Sequence, residues 1–166
     1  MSEPVVLNRA QLLYPCMVGA MRKALHRLAA YEGQKKPNDN EQRSGPDIDP
    51  WNEVESACAE YSVSFKTHRH WLADFSSKKK TVDIAPDIEV RFTKYANGHL
   101  LIYDEDLDDC RYVLVTGALP EYSIRGWLLG KDCKLVEYYA PLTPDRPPVF
   151  KVPQSALRPI EELILL

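Results

Sequence analysis

Asp83, Glu89 and Arg91 fall within one short segment, and their spacing gives them a common chemistry. Ile88, Val90 and Phe92 alternate with Glu89, Arg91 and Thr93, the period of a strand whose two faces differ in polarity. If the apolar set takes the core, Glu89 and Arg91 share the other face. Asp83 is close enough in sequence to bend back toward Glu89, with Pro86 fixing part of the turn. Two carboxylates held together repel unless a cation sits between them. A hard divalent ion such as Mg²⁺ or Mn²⁺ suits oxygen ligands, and it can activate water and stabilise charge on a phosphate. Glu60, at the border of a helical apolar stripe, is the third candidate ligand, with Glu53 two turns earlier on nearly the same side. Arginine stays protonated, so Arg91 suits holding a phosphate or a metal-bound hydroxide and not a general base. The same residues also fit a surface strand carrying a Glu–Arg pair, with Glu60 as an exposed helix carboxylate.

The elements that must position these side chains follow from periodicity. Asn8 and Gln11 form a capping box ahead of a helix over Ala10 to Tyr31, with Leu13, Met17, Met21, Ala24, Leu25 and Leu28 at helical spacing. Pro15 is expected to kink or restart it, and Gly33 to end it. Gln34 to Asp49 is polar, without an apolar period, and is expected to be an exposed loop. Asp49-Pro50 resembles an N-cap followed by proline at the first helical position. The second helix is expected from about Pro50 to Phe65, burying Trp51, Val54, Ala57, Cys58, Tyr61 and Phe65. Asn97-Gly98 is a hairpin signal, with a return strand over His99 to Tyr103. Tyr112 to Thr116 is continuously apolar and expected to be a central strand; Tyr122 to Leu128 is another, and Val149 to Val152 is a short extended piece. The sum is a single-domain α/β (α+β) fold: a mixed sheet of four or five strands with helices packed on it.

The 166 residues suit one domain. A formal net charge of −3 excludes a protein that holds nucleic acid by global charge alone, although bound metal supplies local positive charge. No stretch approaches the roughly 20 apolar residues of a membrane span, and the N-terminus shows no secretory pattern. Cys16, Cys58, Cys110 and Cys133 form no CxxC pair, which suits reduced thiols in a cytoplasm. His68-Arg69-His70 reads as an exposed loop before a metal or phosphate site. Lys78, Lys79 and Lys80 fit a nucleic-acid backbone contact or a solvated loop equally well. The acidic run Asp104 to Asp109 lacks the pattern of a calcium loop and reads as a solvated turn.

The order of a helix with Glu60, then Asp83, then Glu89-x-Arg91 on a strand resembles the PD-(D/E)XK nuclease pattern. The chain is also similar to a family of phage and prophage proteins of that kind. The matching stretches are Met17 to Arg22, Glu55 to Glu60 with Val63 and Trp71, Val82-Asp83, and Glu89 to Arg91. They continue with Tyr112 to Gly117, Ile124 to Trp127 with Gly130 to Asp132, and Val152 to Leu157. The resemblance covers most of the chain apart from the loop over 34–49; beyond the helical segment over 8–33 and that loop, it implies a restriction-endonuclease-like core over 50–166. It implies a metal-dependent nuclease acting on DNA in the bacterial cytoplasm, with Mg²⁺ or Mn²⁺ held by Asp83, Glu89 and Glu60 and with Arg91 in the place of the usual lysine. A nuclease-like fold without catalysis, binding a protein or nucleic acid, is the alternative. Lys94 and Lys80 are candidate substitutes for the lysine.

Overall fold

The computed structural model describes residues 3–31, 51–75, 82–142 and 147–164. The expected loop over 34–49, the helix end at Gly33, the Asp49-Pro50 cap and the lysines Lys78, Lys79 and Lys80 lie outside them. Among the described residues no helix is long and apolar enough to cross a membrane.

A short strand β1 (Val5–Val6) leads into helix α1 (Arg9–Tyr31). The capping box forms as expected: the Asn8 amide donates to Gln11 Oε1 at 2.9 Å, and the Gln11 amide to Asn8 Oδ1 at 3.0 Å. Pro15 lies inside α1 and does not restart it. Helix α2 (Asn52–Thr67) ends at His68, whose left-handed backbone sends its amide back to the Ser64 carbonyl, a local closure of an orphan carbonyl. Then come β2 (Ile88–Thr93), β3 (Leu100–Ile102), β4 (Arg111–Ala118), β5 (Glu121–Leu129), the single turn α3 (Gly130–Cys133), β6 (Tyr139–Pro141), β7 (Pro148–Val152) and α4 (Ile160–Ile164).

The strands form two sheets. The first is mixed, in the order β1-β5-β4-β2, with β2 parallel to β4 and the other pairs antiparallel. The second is antiparallel, in the order β3-β7-β6. As the sequence predicted, β4 is central. Its alternate residues serve two cores: Val113 and Val115 face the helices with Val54, Ala57, Val63, Ile88 and Val90, while Tyr112 and Leu114 face the second sheet with Leu100, Ile102, Phe150 and Val152. Burial of both faces explains why Tyr112 to Thr116 reads as a continuous apolar run. In β5 the register shifts between Leu114 and Val115 of its partner, so Arg125 is the extra residue and Ile124 and Trp127 reach the same core, the usual effect of a bulge.

The expected hairpin does not form. A turn exists, with the Gly98 amide donating to the Tyr95 carbonyl at 2.9 Å and Gln154 Nε2 donating to the carbonyls of Ala96 (2.9 Å) and Gly98 (2.8 Å). Yet β2 and β3 enter different sheets, because both edges of β2 are taken. One edge carries β4; along the other the chain doubles back, with paired 3.0 Å hydrogen bonds between Ile84 and Ile88 and a 2.8 Å bond from the Val90 amide to Asp83 Oδ2.

The apolar stripe read in α1 is also corrected. Leu13, Met17, Met21, Leu25 and Leu28 are exposed, and the helix lays Val18 and Gly19 against α2. In α2, Trp51 and Phe65 are exposed while Val54, Ala57 and Cys58 are buried as expected. Gly19 marks the closest approach of the two helices: a Cβ there would lie 2.5 Å from the Glu53 carbonyl and from the Val54 Cα. Gly19→Ala gains about 1 kcal/mol of helix propensity, but backbone must move to admit the methyl, and such overpacking costs about 1–3 kcal/mol. The expected net result is a loss of stability in urea denaturation; a more stable Gly19→Ala protein would contradict this helix contact.

Candidate functional site

Asp83, Glu89, Arg91 and Glu60 lie about the outer edge of β2, each held by a different device. Asp83 sits on the segment that doubles back along β2, its Oδ2 accepting from Val90. Glu89 and Arg91 project from the face of β2 that carries Tyr112 and Leu114 on β4, since Glu89 pairs with Tyr112 and Arg91 with Leu114. Glu60 belongs to α2, on the helix side of the sheet. Asp83 lies between and interacts electrostatically with both Glu60 and Glu89.

Glu60 is almost fully buried and fully engaged. Arg22 on α1 grips it with two hydrogen bonds, Nη1 to Oε1 at 2.7 Å and Nη2 to Oε2 at 2.9 Å, and Trp71 Nε1 donates to Oε2 at 2.9 Å. The Arg22 Nε–H donates to the Asp74 carbonyl at 2.7 Å. This planar two-point pairing is the geometry arginine is built for. It holds α1, α2 and the 71–74 segment together.

Arg91 is held on the other face. Its Nη2 donates to Asp106 Oδ1 at 2.9 Å and its Nη1 to Glu89 Oε2 at 3.3 Å, while the guanidinium lies 5.2 Å from the centre of the Tyr112 ring. Its buried Nε–H has no hydrogen-bond partner. Asp106 is positioned by the Tyr103 amide, which donates to its Oδ2 at 3.0 Å. Tyr112 Oη accepts from the Leu107 amide at 2.8 Å. Lys134 closes the turn, donating to the carbonyls of Asp104 (3.1 Å) and Asp106 (2.5 Å) and to Asp108 Oδ1 (2.7 Å). The acidic run expected to be only a solvated turn therefore sends Asp106 inward.

Four carboxylates, from Glu60, Asp83, Glu89 and Asp106, thus meet two guanidiniums, from Arg22 and Arg91. The imbalance falls on Asp83. Burial, then the charges of Glu60 and Glu89, hold its carboxyl well above the usual aspartate range, against the opposing pull of the Val90 amide and Arg22. Burial likewise raises Glu89, opposed by Arg91 and reinforced by Asp106 and Glu60. Among the described residues, no three His, Cys, Asp or Glu side chains converge as a ready set of metal ligands. The carboxylates that fit a divalent ion best are Asp83 and Glu89, because Glu60 already spends both oxygens on Arg22 and Trp71. Lys94 is exposed, and so are His68 and His70.

Sequence reasoning missed Arg22, Asp106 and Lys134. Arg22 lies three residues after Gly19 and four after Val18, so reading that face of α1 as the inward one would have pointed it at α2. Asp106 and Lys134 are brought in by tertiary contact, with no local signal. No family model, no curated protein and no solved structure matches this chain.

Two outcomes follow. Removing Arg22 strands a buried carboxylate, so Arg22→Met should cost about 3–5 kcal/mol, while Arg22→Met/Glu60→Met should recover much of that loss because the apolar pair leaves no charge behind. Chemical denaturation of the three proteins checks this, and a double variant as unstable as the single would oppose it. For Asp83 the folded pKa exceeds the unfolded value near 3.8, so the fold binds the proton more tightly than the unfolded chain. Stability then falls as pH rises from the unfolded to the folded pKa. With a chelator present, Asp83→Asn should be more stable than the wild type at neutral pH, with the gain vanishing on acidification toward pH 3.8; a pH-independent difference would contradict the crowding of Asp83.

Proposed function

We propose that this chain is a divalent-metal-dependent phosphodiesterase acting on DNA, built on a restriction-endonuclease-like core and of phage or prophage origin. The observation that supports it is the surplus of carboxylate around Asp83 and Glu89: four acids against two arginines, an imbalance that one divalent cation would neutralise. Asp83 and Glu89 would hold Mg²⁺ or Mn²⁺, with Glu60 supporting from α2. The ion's contribution would be to activate a water and to neutralise charge on a phosphate.

The chain's own groups have defined parts. Arg22 and Trp71 fix Glu60, so its charge stays beside Asp83 without competing as a mobile ligand. The Val90 amide orients Asp83 through one oxygen. Arg91 cannot take a proton from water; its part is to attract and orient a phosphate. Its link to Glu89 is the longer of its two carboxylate contacts, so Glu89 is the partner it gives up more readily.

A second reading has its own support. Arg91 is bound to both Glu89 and Asp106, and Glu60 is saturated. A site closed in this way also suits a nuclease-like fold that binds a protein or nucleic acid without catalysis. Plasmid and single-stranded DNA, incubated with Mg²⁺ or Mn²⁺, separate the two readings: cleavage should occur with the wild type and be lost in Glu89→Ala. Either ion should also raise the melting temperature, by an amount equivalent to ~2.7 kcal/mol at a hundredfold excess over its dissociation constant. Asp83→Asn and Glu89→Gln should abolish that shift. Neither cleavage nor a metal-dependent shift in the wild type would eliminate the catalytic reading and leave the binding one.

A further inference from the structure

Helix α1 is amphipathic in the opposite sense to a surface helix. Arg22 and His26 turn toward α2, to Glu60 and Glu53, while Arg9 and Arg27 are exposed. Its outer face carries Leu13, Tyr14, Met17, Met21, Leu25 and Leu28, each between 41% and 67% exposed. Ala20 and Ala24, also exposed, complete the strip. Side chains of this size at these exposures leave roughly 650 Å² of surface on one helix face, at the upper limit of the largest patch on a typical monomer.

Few large apolar side chains lie outside the described residues to cover this face. Among residues 1–2, 32–50, 76–81, 143–146 and 165–166, the large apolar side chains are Met1, Ile48, Leu165 and Leu166. The strip is suited to one kind of cover in particular. Met17 and Leu25 lie four residues on either side of Met21, and Tyr14 and Leu28 lie seven. A strip symmetric about Met21 complements itself under a two-fold axis, which is the requirement for an isologous contact. Tyr14, Met17, Met21, Ala24 and Leu28 also alternate at spacings of three and four, the pattern of a helix–helix seam. Two copies would bury up to roughly 1,300 Å², within the ~1,200–2,000 Å² of stable interfaces. Antiparallel packing opposes the two helix dipoles.

We propose that the protein is a homodimer in which the α1 helices of two copies pack antiparallel through this strip, Met21 on the two-fold axis, Met17 against Leu25 of the second copy and Tyr14 against Leu28. The exposed Arg9 and Arg27 flank the strip and do not interrupt it, and the Arg22 and His26 side, part of the polar face that an interfacial membrane helix would keep in water, is turned into the fold.

The test is sedimentation equilibrium of the full chain under reducing conditions across micromolar concentrations. The wild type should be dimeric. Met21→Glu should weaken the dimer by at least ~30-fold with an unchanged far-ultraviolet circular dichroism spectrum. Leu28→Glu serves the same purpose should Met21→Glu fail to fold. Met17→Glu and Leu25→Lys should each weaken association, and Met17→Glu/Leu25→Lys should restore it, because only the antiparallel pairing sets position 17 against position 25. A monomeric wild type, a dimer indifferent to both glutamate substitutions, a double variant no tighter than the singles, or a monomer that binds phosphatidylcholine vesicles would each overturn the proposal.

Discussion

The outer edge of β2 has to be closed, and it is closed by a carboxylate. A sheet edge exposes backbone donors that invite another strand. Here the Ile84–Ile88 pairing satisfies part of the edge, and the Val90 amide is satisfied by Asp83 at 2.8 Å. The bend that brings Asp83 back along β2 also sets it beside Glu89 on one side and Glu60 on the other. The closure removes the edge that β3 would have used, so the chain after the Tyr95–Gly98 turn joins β7 and builds the second sheet under β4. The fold of the second half and the acidity of the site share this cause.

Charge so concentrated must be balanced locally, and two arginines from distant parts of the chain do most of it. Arg22 reaches across from α1 to Glu60, and Arg91 bridges Glu89 and Asp106. Each guanidinium neutralises one flank. Asp83, between the flanks, keeps one strong hydrogen bond and no guanidinium partner of its own among the described contacts, which is why burial and its carboxylate neighbours dominate its proton affinity. A fold stabilised only by apolar packing would gain by removing such a group.

The strand carrying Glu89 and Arg91, the central position of β4 and the capping box at Asn8 were legible because each follows from local alternation, run length or spacing. The Asp83 turn was legible for the same reason. The hairpin was not: Asn97-Gly98 specifies a turn, but pairing across it requires a free edge on β2, and that depends on Ile84 and on β4. The inward face of α1 was not legible either, since hydrophobicity alone selects the face that the structure exposes. Asp106 was hidden by composition, as one acid among five in a run, singled out only by the Tyr103 amide and Arg91. Of the site, Asp83, Glu89 and Arg91 could be read from one segment and Glu60 from the border of its helix stripe, whereas Arg22, Asp106 and Lys134, brought in by tertiary contact, could not.

The orientation of α1 is decided by a comparison of magnitudes. Holding Glu60 by a buried pair whose loss would cost about 3–5 kcal/mol favours turning Arg22 inward. Leaving six large apolar side chains largely in water forfeits on the order of 1 kcal/mol each, a sum that equals or exceeds the pair. Two features tip the balance. Gly19 lets α1 approach α2 with backbone nearly in contact, a fit that a turned helix presenting Met17 or Met21 could not make. The second is a cover on the outer strip, which returns the forfeited burial without giving up the grip on Glu60. On this account the helix that positions a buried carboxylate of the site is also the helix that meets the second copy, and the polarity of its two faces is one solution to both demands.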